Sequence, residues 1–474
     1  MWRTEDGVVR RAHLIRRDPP MPHTHPSLRP DRRRVRLATV ASTVLLSLAV
    51  GVLPAGAAAP PSHSVPAAAS TVSGTSDLDR KALRASLDAF HQAGMYGAYT
   101  SVRDGSERWR GATGVADIGT GRPMRPDYEH RIGSITKTFT SVAVLQQVAK
   151  GRIDLDAPVG DYLPELVPGE RGRKVTVRML LNHTSGIADY ILPAFPKLLT
   201  DPQGALDEGR FRELAPEQLV RLGLEAEPQA PRGTYAYANT NYIIAGLLLK
   251  KVTGQEPESY ITEHVIRKAG LRHTYFPRSA RIRGPHAKMY ESLYGAIEPA
   301  RDYSVYNMSW AGTAGAMVST MNDLNDFYRQ LLGGKLIGAA ELREMKTTVP
   351  AYEPEEGQEA AMRYGLGLYT LKMPDGGWYW GHDGGVFGAG TWALSTQDGR
   401  RQAAIGYNLM KYERYAEDGT PLPDPIGQAL FAYMSGALSG TPAERAPGTA
   451  PVPVPVPLPL PVPQRLIAPE QLRR

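Results

Sequence analysis

The chain has 474 residues, 42% hydrophobic and 22% charged, enough to bury a large core and unlike a disordered or fibrous protein. Its net charge of +7 is no footprint for nucleic acid. Ten Arg against four acids in residues 1–57 supply almost all of it, leaving 45 basic and 44 acidic residues in the rest, so no nucleic-acid partner is expected. Cysteine is absent, which removes disulfides, thiolate metal sites and a cysteine nucleophile.

Taken in chain order, residues 1–57 read as an export signal. Basic Arg32-Arg33-Arg34-Val35-Arg36 is followed by an apolar run from Leu37 to Leu53 and then by small residues, Ala55-Gly56-Ala57-Ala58-Ala59. That layout predicts cleavage near Ala57 to Ala59, contact with the membrane only during export, and a secreted protein. The alternative is a single membrane anchor, since about 17 apolar residues approach a spanning length. The long stretch ahead of the arginines allows translation to start at Met21. Residues 58–78 are Ala/Ser/Pro-rich and predict a flexible leader.

Residues 79–440 contain no linker long enough to divide them, so they are expected to form one unit. It starts with a helix over Ala82 to Ala93. A hairpin follows, with Ala98 to Arg103 and Arg108 to Val115 flanking Asp104-Gly105. Helical patterns cover 134–150, 176–182, 239–252 and 321–332. Strands are expected at Trp378 to Gly381, Thr391 to Ser395 and Gln402 to Tyr407, before a closing helix over Pro425 to Leu438. Strands at both ends with helices between predict an α+β architecture: first and last segments share an antiparallel sheet and the middle forms a helical lobe. Residues 441–474 form a proline-rich tail. Proline at every second position from Pro451 to Pro463 fixes φ and removes donors, which predicts a polyproline II spacer or wall-embedded segment.

Three short motifs carry chemistry. In Gly133-Ser134-Ile135-Thr136-Lys137, Ser134 and Lys137 stand one helical turn apart, so the amine reaches the hydroxyl that it would activate. Burial and the helix N-terminus both disfavour charge on Lys137 and would keep it basic. The motif is weak alone, because a Ser cap beside a surface Lys is spelled identically. Tyr237-Ala238-Asn239 sits just before a helix. There a phenol can relay a proton and an amide can both donate and accept. Gly381-His382-Asp383-Gly384-Gly385 ends an aromatic strand, where glycines permit close backbone approach.

In this order the motifs resemble the penicillin-recognising serine hydrolases of the class C β-lactamase type, and the D-alanyl-D-alanine carboxypeptidases among them. The likeness extends to flanking blocks: Arg131-Ile132-Gly133-Ser134, Leu181-Asn182-His183-Thr184-Ser185-Gly186, Thr313 to Thr320, and Tyr364-Gly365-Leu366-Gly367-Leu368. It implies a β-lactamase/transpeptidase-like fold, with the active site between an antiparallel sheet flanked by helices and an all-helical lobe. It further implies Ser134 as acylated nucleophile, Lys137 as its activator, Tyr237 as proton relay and Asn239 as substrate-amide clamp. His382, Asp383, Gly384 and Gly385 would line the substrate cleft, and the N–H groups of Ser134 and Gly385 would form the oxyanion hole. The resemblance implies no metal and no organic cofactor, a monomer, and a small-molecule or peptide substrate such as a cell-wall peptide or a β-lactam.

The activity expected is that of a carboxypeptidase-like peptidase or amidase. Alternatives are a β-lactamase or esterase of the same fold, and a non-catalytic envelope-binding protein. Two departures weaken the carboxypeptidase expectation. Tyr369 stands after Gly-Leu-Gly-Leu, where that group uses a cation for the substrate carboxylate, and Asp383 replaces a hydroxyl. Lys372, three residues past Tyr369, falls on the opposite strand face. His183 is expected to hydrogen-bond at a helix end, Asp154 and Asp156 to shape a turn, and Trp378-Tyr379-Trp380 to pack with one ring toward the cleft.

Overall fold

The computed structural model describes residues 78–440 apart from 353, 355–357 and 417, so the export signal, the leader up to residue 77 and the proline tail lie outside the described residues. Among the described residues the main sheet has nine strands, all antiparallel. From one edge they run Arg122–Pro123, Glu107–Asp117, Gly97–Asp104, Arg401–Tyr407, Ala389–Ser395, Trp378–Val386, Tyr369–Lys372, Met362–Tyr364 and Val349–Pro350. An early strand and a late one pair inside it: Ala98 is opposite Tyr407 and Asp104 opposite Arg401. The expected hairpin and the three late strands are all found, and the first of the late strands runs past the expected Gly381 to Val386.

One face of this sheet is covered by the first and last helices, Arg80–Gln92 and Pro425–Ser439, whose Leu87, Phe90, Leu430 and Tyr433 pack on Val102, Ile405 and Leu394. Leu78 joins this core. The other face receives the helix Met321–Leu332 and the helical lobe, in one continuous apolar core.

At the centre of the lobe lies the helix Thr136–Val148, buried along almost its whole length despite four hydroxyl side chains in its first six residues. Each has a partner. Thr136 accepts from the Met317 N–H, Thr138 donates to Gly367 O (2.6 Å), Thr140 donates to Thr313 O (2.8 Å) and Ser141 bonds the Tyr242 hydroxyl (3.1 Å). Buried hydroxyls stabilise only when paired in this way. Met317, Gly367 and Thr313 come from the flanking blocks and Tyr242 from the helix Asn239–Thr253, so those blocks and that helix form the hydrogen-bonded socket of the nucleophile helix.

Candidate active site

Ser134 lies on a single 3₁₀ turn, Gly133–Ile135, which feeds directly into the nucleophile helix. Gly133 has φ +50°, and a Cβ there would come within 2.6 Å of the Gly385 nitrogen. The turn therefore needs glycine for its backbone conformation and for the closeness of the neighbouring strand. Behind it the buried Arg131 guanidinium donates to three carbonyls, Ala280 O (2.7 Å), Ser304 O (3.1 Å) and Tyr306 O (3.2 Å), tying the turn to the loops of the lobe.

The Lys137 amine is wholly buried and sits 3.1 Å from Ser134 Oγ, 2.7 Å from Asn239 Oδ1 and 2.8 Å from Ala314 O. Burial lowers its pKa to about 7, against the opposing pull of Asp189 and Asp383. The two carbonyl oxygens can only accept. A neutral Lys137 therefore uses its two N–H groups on them, and its lone pair is left facing Ser134 Oγ. That is the arrangement of a general base beside its nucleophile.

Tyr237 approaches from the other side, its ring 4.8 Å from Lys137 Nζ. Its hydroxyl makes no well-formed hydrogen bond among the described residues, and burial raises its pKa well above 10. A phenol in that state carries its proton at every working pH. Tyr237 is positioned by His183, whose ring lies 4.1 Å from the tyrosine ring and whose Nδ1 accepts from the Ala238 N–H and Asn241 Nδ2, both at 3.2 Å. His183 follows the helix Val177–Leu181 and adopts φ +60°. It is the hydrogen-bonded helix-end residue expected, and burial holds it neutral, with a pKa well below 6.5.

Asn239 opens the helix Asn239–Thr253. Both ends of its side chain are engaged: Oδ1 accepts from Lys137 and Nδ2 donates to Asp189 Oδ2 at 2.8 Å. Asp189 was not singled out in the sequence. Its only signal was position, three residues after the Leu181 to Gly186 block.

The third motif reaches Ser134 through backbone. A Cβ on Gly384 would lie 1.9 Å from Ile132 O and 3.0 Å from the Ser134 nitrogen, so the strand Trp378–Val386 packs directly on the nucleophile turn. The glycines admit the protein's own backbone at this point. His382 and Asp383 differ from expectation. The His382 ring is fully buried and does not line the cleft; its Nε2 meets the Tyr364 hydroxyl at 2.8 Å, and burial lowers its pKa to about 3. Asp383 is 6% exposed and is pushed up to about 7 by burial, with Oδ1 3.7 Å from His382 Nδ1 and without a hydrogen bond among the described residues. It is an enclosed carboxyl rather than an open acid beside the leaving group.

Ser134 opens on a narrow cleft lined by Asn239, Ala314 and Gly385, with Tyr190, Trp310 and Phe387 as its aromatic wall. None of Trp378, Tyr379 and Trp380 contributes a ring to it. Lys372 is exposed, pairs with Glu359 at 3.6 Å and lies far along the strand from the glycines. The cation on the cleft wall is Lys411, whose ammonium is bound at 2.9 Å by Glu291, a fully buried carboxylate. Asp154 shapes a turn by accepting from the Asp156 N–H, and Asp156 pairs with Arg178.

The family model described as Beta-lactamase matches residues 21–451. Esterase EstB of Burkholderia gladioli is 35% identical over 205 residues, 41% of this chain and 52% of that protein. A D-aminopeptidase of Brucella anthropi is 28% identical over 259 residues, 51% of this chain and 46% of that protein. The chain thus spans about half the length of these curated relatives. Among solved structures, a D-stereospecific amidohydrolase from Streptomyces sp. superposes with a TM-score of 0.66 at 36% identity, covering 77% of this chain and 99% of that one. D-amino acid amidase from Ochrobactrum anthropi SV3, at 22% identity and a TM-score of 0.63, shares the fold. With the serine, the buried lysine and the matching fold all in place, the chain belongs to the Beta-lactamase family of serine hydrolases.

Proposed function

We propose that the protein is an acyl-serine amidohydrolase that cleaves amides or esters of D-amino-acid-containing compounds lacking a free carboxylate on the leaving group. The observation that carries the chemistry is the Lys137 amine, with its acceptors fixed by Asn239 and Ala314 and its lone pair toward Ser134 Oγ. Lys137 takes the serine proton as Oγ attacks the carbonyl. The N–H groups of Ser134 and Gly385 hold the developing oxyanion. Tyr237, neutral and unpaired, gives a proton to the leaving nitrogen or oxygen, and water then hydrolyses the ester at Ser134 by the reverse path.

Charge in the cleft supports the substrate class. Among the described residues lining the cleft Lys411 is the sole cation, and it is neutralised by Glu291. A terminal carboxylate therefore gains little there. The names of the similar amidohydrolase and D-aminopeptidase point to the same class. Measuring kcat/KM for an acyl-D-Ala-D-Ala peptide and for its C-terminal amide tests the proposal. The amide is expected to be the better substrate, and a tenfold or larger preference for the free acid, about 1.4 kcal/mol of transition-state discrimination, restores the carboxypeptidase. The similarity to EstB favours an esterase as second reading, for which esters would react and the matching amides would not. Export, the other part of the proposal, rests on the three-part layout of residues 32–59 and is tested by N-terminal sequencing of secreted material.

A further inference from the structure

Asp189 belongs to none of the three motifs, yet both of its carboxylate oxygens are engaged at the catalytic centre. Oδ1 accepts from the Ile191 N–H at 2.9 Å. Oδ2 accepts twice from Asn239, from the backbone N–H at 2.9 Å and from side-chain Nδ2 at 2.8 Å. An asparagine amide has two nearly isosteric orientations with opposite chemistry: the oxygen end accepts and the nitrogen end donates. A carboxylate can only accept, so Asp189 must face the nitrogen end, and the oxygen end is turned to Lys137 Nζ, 2.7 Å away. If the amide flipped, an N–H would point at the lysine amine. The lone pair of Lys137 would then be drawn to Asn239 and away from Ser134.

We infer that Asp189 is a positioning residue for the acylation step: by fixing the orientation of the Asn239 amide it aims the Lys137 lone pair at Ser134 Oγ. The inference rests on the acyl-serine reading above and adds a fourth member to its machinery, one that acts through Asn239 without touching the reacting atoms. Asp189 also contributes charge. Lys137 is faced by Asp189 and Asp383, the two acids that favour its protonation. The other titratable groups around it are neutral: His183 and His382 by burial, and the phenols of Tyr237 and Tyr242, whose rings lie 4.8 and 5.6 Å from Nζ. Removing the Asp189 charge therefore lowers the Lys137 pKa and keeps the amine free to more acid pH.

The two contributions separate in a pH profile of Ser134 labelling by a neutral fluorophosphonate, a probe that needs the serine and its base but no particular natural substrate. Asp189→Asn removes the charge and keeps one acceptor oxygen, so its acid limb moves to lower pH. Asp189→Ala also frees the Asn239 amide, and its plateau rate falls about tenfold or more below that of the parent, within the range of a misdirected general base. Melting temperatures and circular dichroism identify variants that fold. An acid limb unmoved in folded Asp189→Asn, or an Asp189→Ala plateau within about twofold of the parent, overturns the inference. If the alanine variant does not fold, the asparagine profile alone decides. Failure of the parent itself to be labelled would instead sink the acyl-serine reading, so the two failures are distinguishable.

Discussion

On the helix wall of the cleft, Lys137, Asn239 and Asp189 satisfy one another through directed side-chain hydrogen bonds. The strand wall is built differently, meeting Ser134 through bare backbone at Gly384 and Gly385 with its nearest side chains, His382 and Asp383, turned inward and buried. The difference teaches where the protein can vary. Chemistry on the helix wall depends on functional groups, each of which can be removed by one substitution. Geometry on the strand wall depends on the absence of side chains, so almost any substitution there is a steric event that moves the nucleophile turn itself.

The largest effects should come from the helix wall. Ser134→Ala is expected to abolish covalent labelling, read as intact mass after fluorophosphonate treatment, and persistent labelling at the parental rate would remove Ser134 as nucleophile. Lys137→Ala should leave a folded protein that acylates at least about 10²-fold more slowly, the scale of a lost general base. In the parent, labelling should rise with pH through about 7, because Lys137 must lose its proton first and its pKa sits near that value. A profile still rising steeply between pH 9 and 10 would show a lysine with an ordinary pKa.

Tyr237→Phe should cost less with activated esters than with amides, because a good leaving group needs no proton. The expected loss on an amide is about 10²-fold, with the acid limb still set by Lys137. Equal losses on both substrates would assign Tyr237 to positioning alone.

The strand wall is broken by Gly384→Ala, whose Cβ would sit 1.9 Å from Ile132 O. Relieving that contact moves backbone on one side or the other, at a cost of about 1–3 kcal/mol, and should lower labelling together with melting temperature. A variant with the parental rate and melting point would show that the two walls are not in contact.

The smallest effect is expected at Asp383. Its folded pKa of about 7 stands above the carboxylate value of 3.8, so its ionisation costs stability by an amount that grows from about pH 4 to pH 7 and is constant above. Asp383→Asn should therefore gain more melting temperature at pH 8 than at pH 5, with the high-pH plateau of labelling by a neutral fluorophosphonate changed by less than about threefold. A stability difference that is the same at both pH values would place this carboxyl in open water and return it to the cleft.

Much of this protein was determined by its sequence alone. The Ser134 to Lys137 spacing needs only the helical repeat to bring amine and hydroxyl together, and the hairpin and terminal strands follow from turn residues and alternation. The pairing of the first strand with the last was also legible, since strands at both ends must share a sheet to bury a face. What tertiary structure decided are relations between distant segments. Asp189 was invisible as a site residue because its role depends on the start of a helix fifty residues away, and no local pattern reports that. Lys411 reaches the cleft only because its segment pairs with Tyr290 and Glu291. His382 and Asp383 alternate as a strand requires, but alternation does not say which faces are covered. That is fixed by packing of Tyr364 on one ring and by enclosure of the carboxyl, and it turned two expected cleft residues into buried ones.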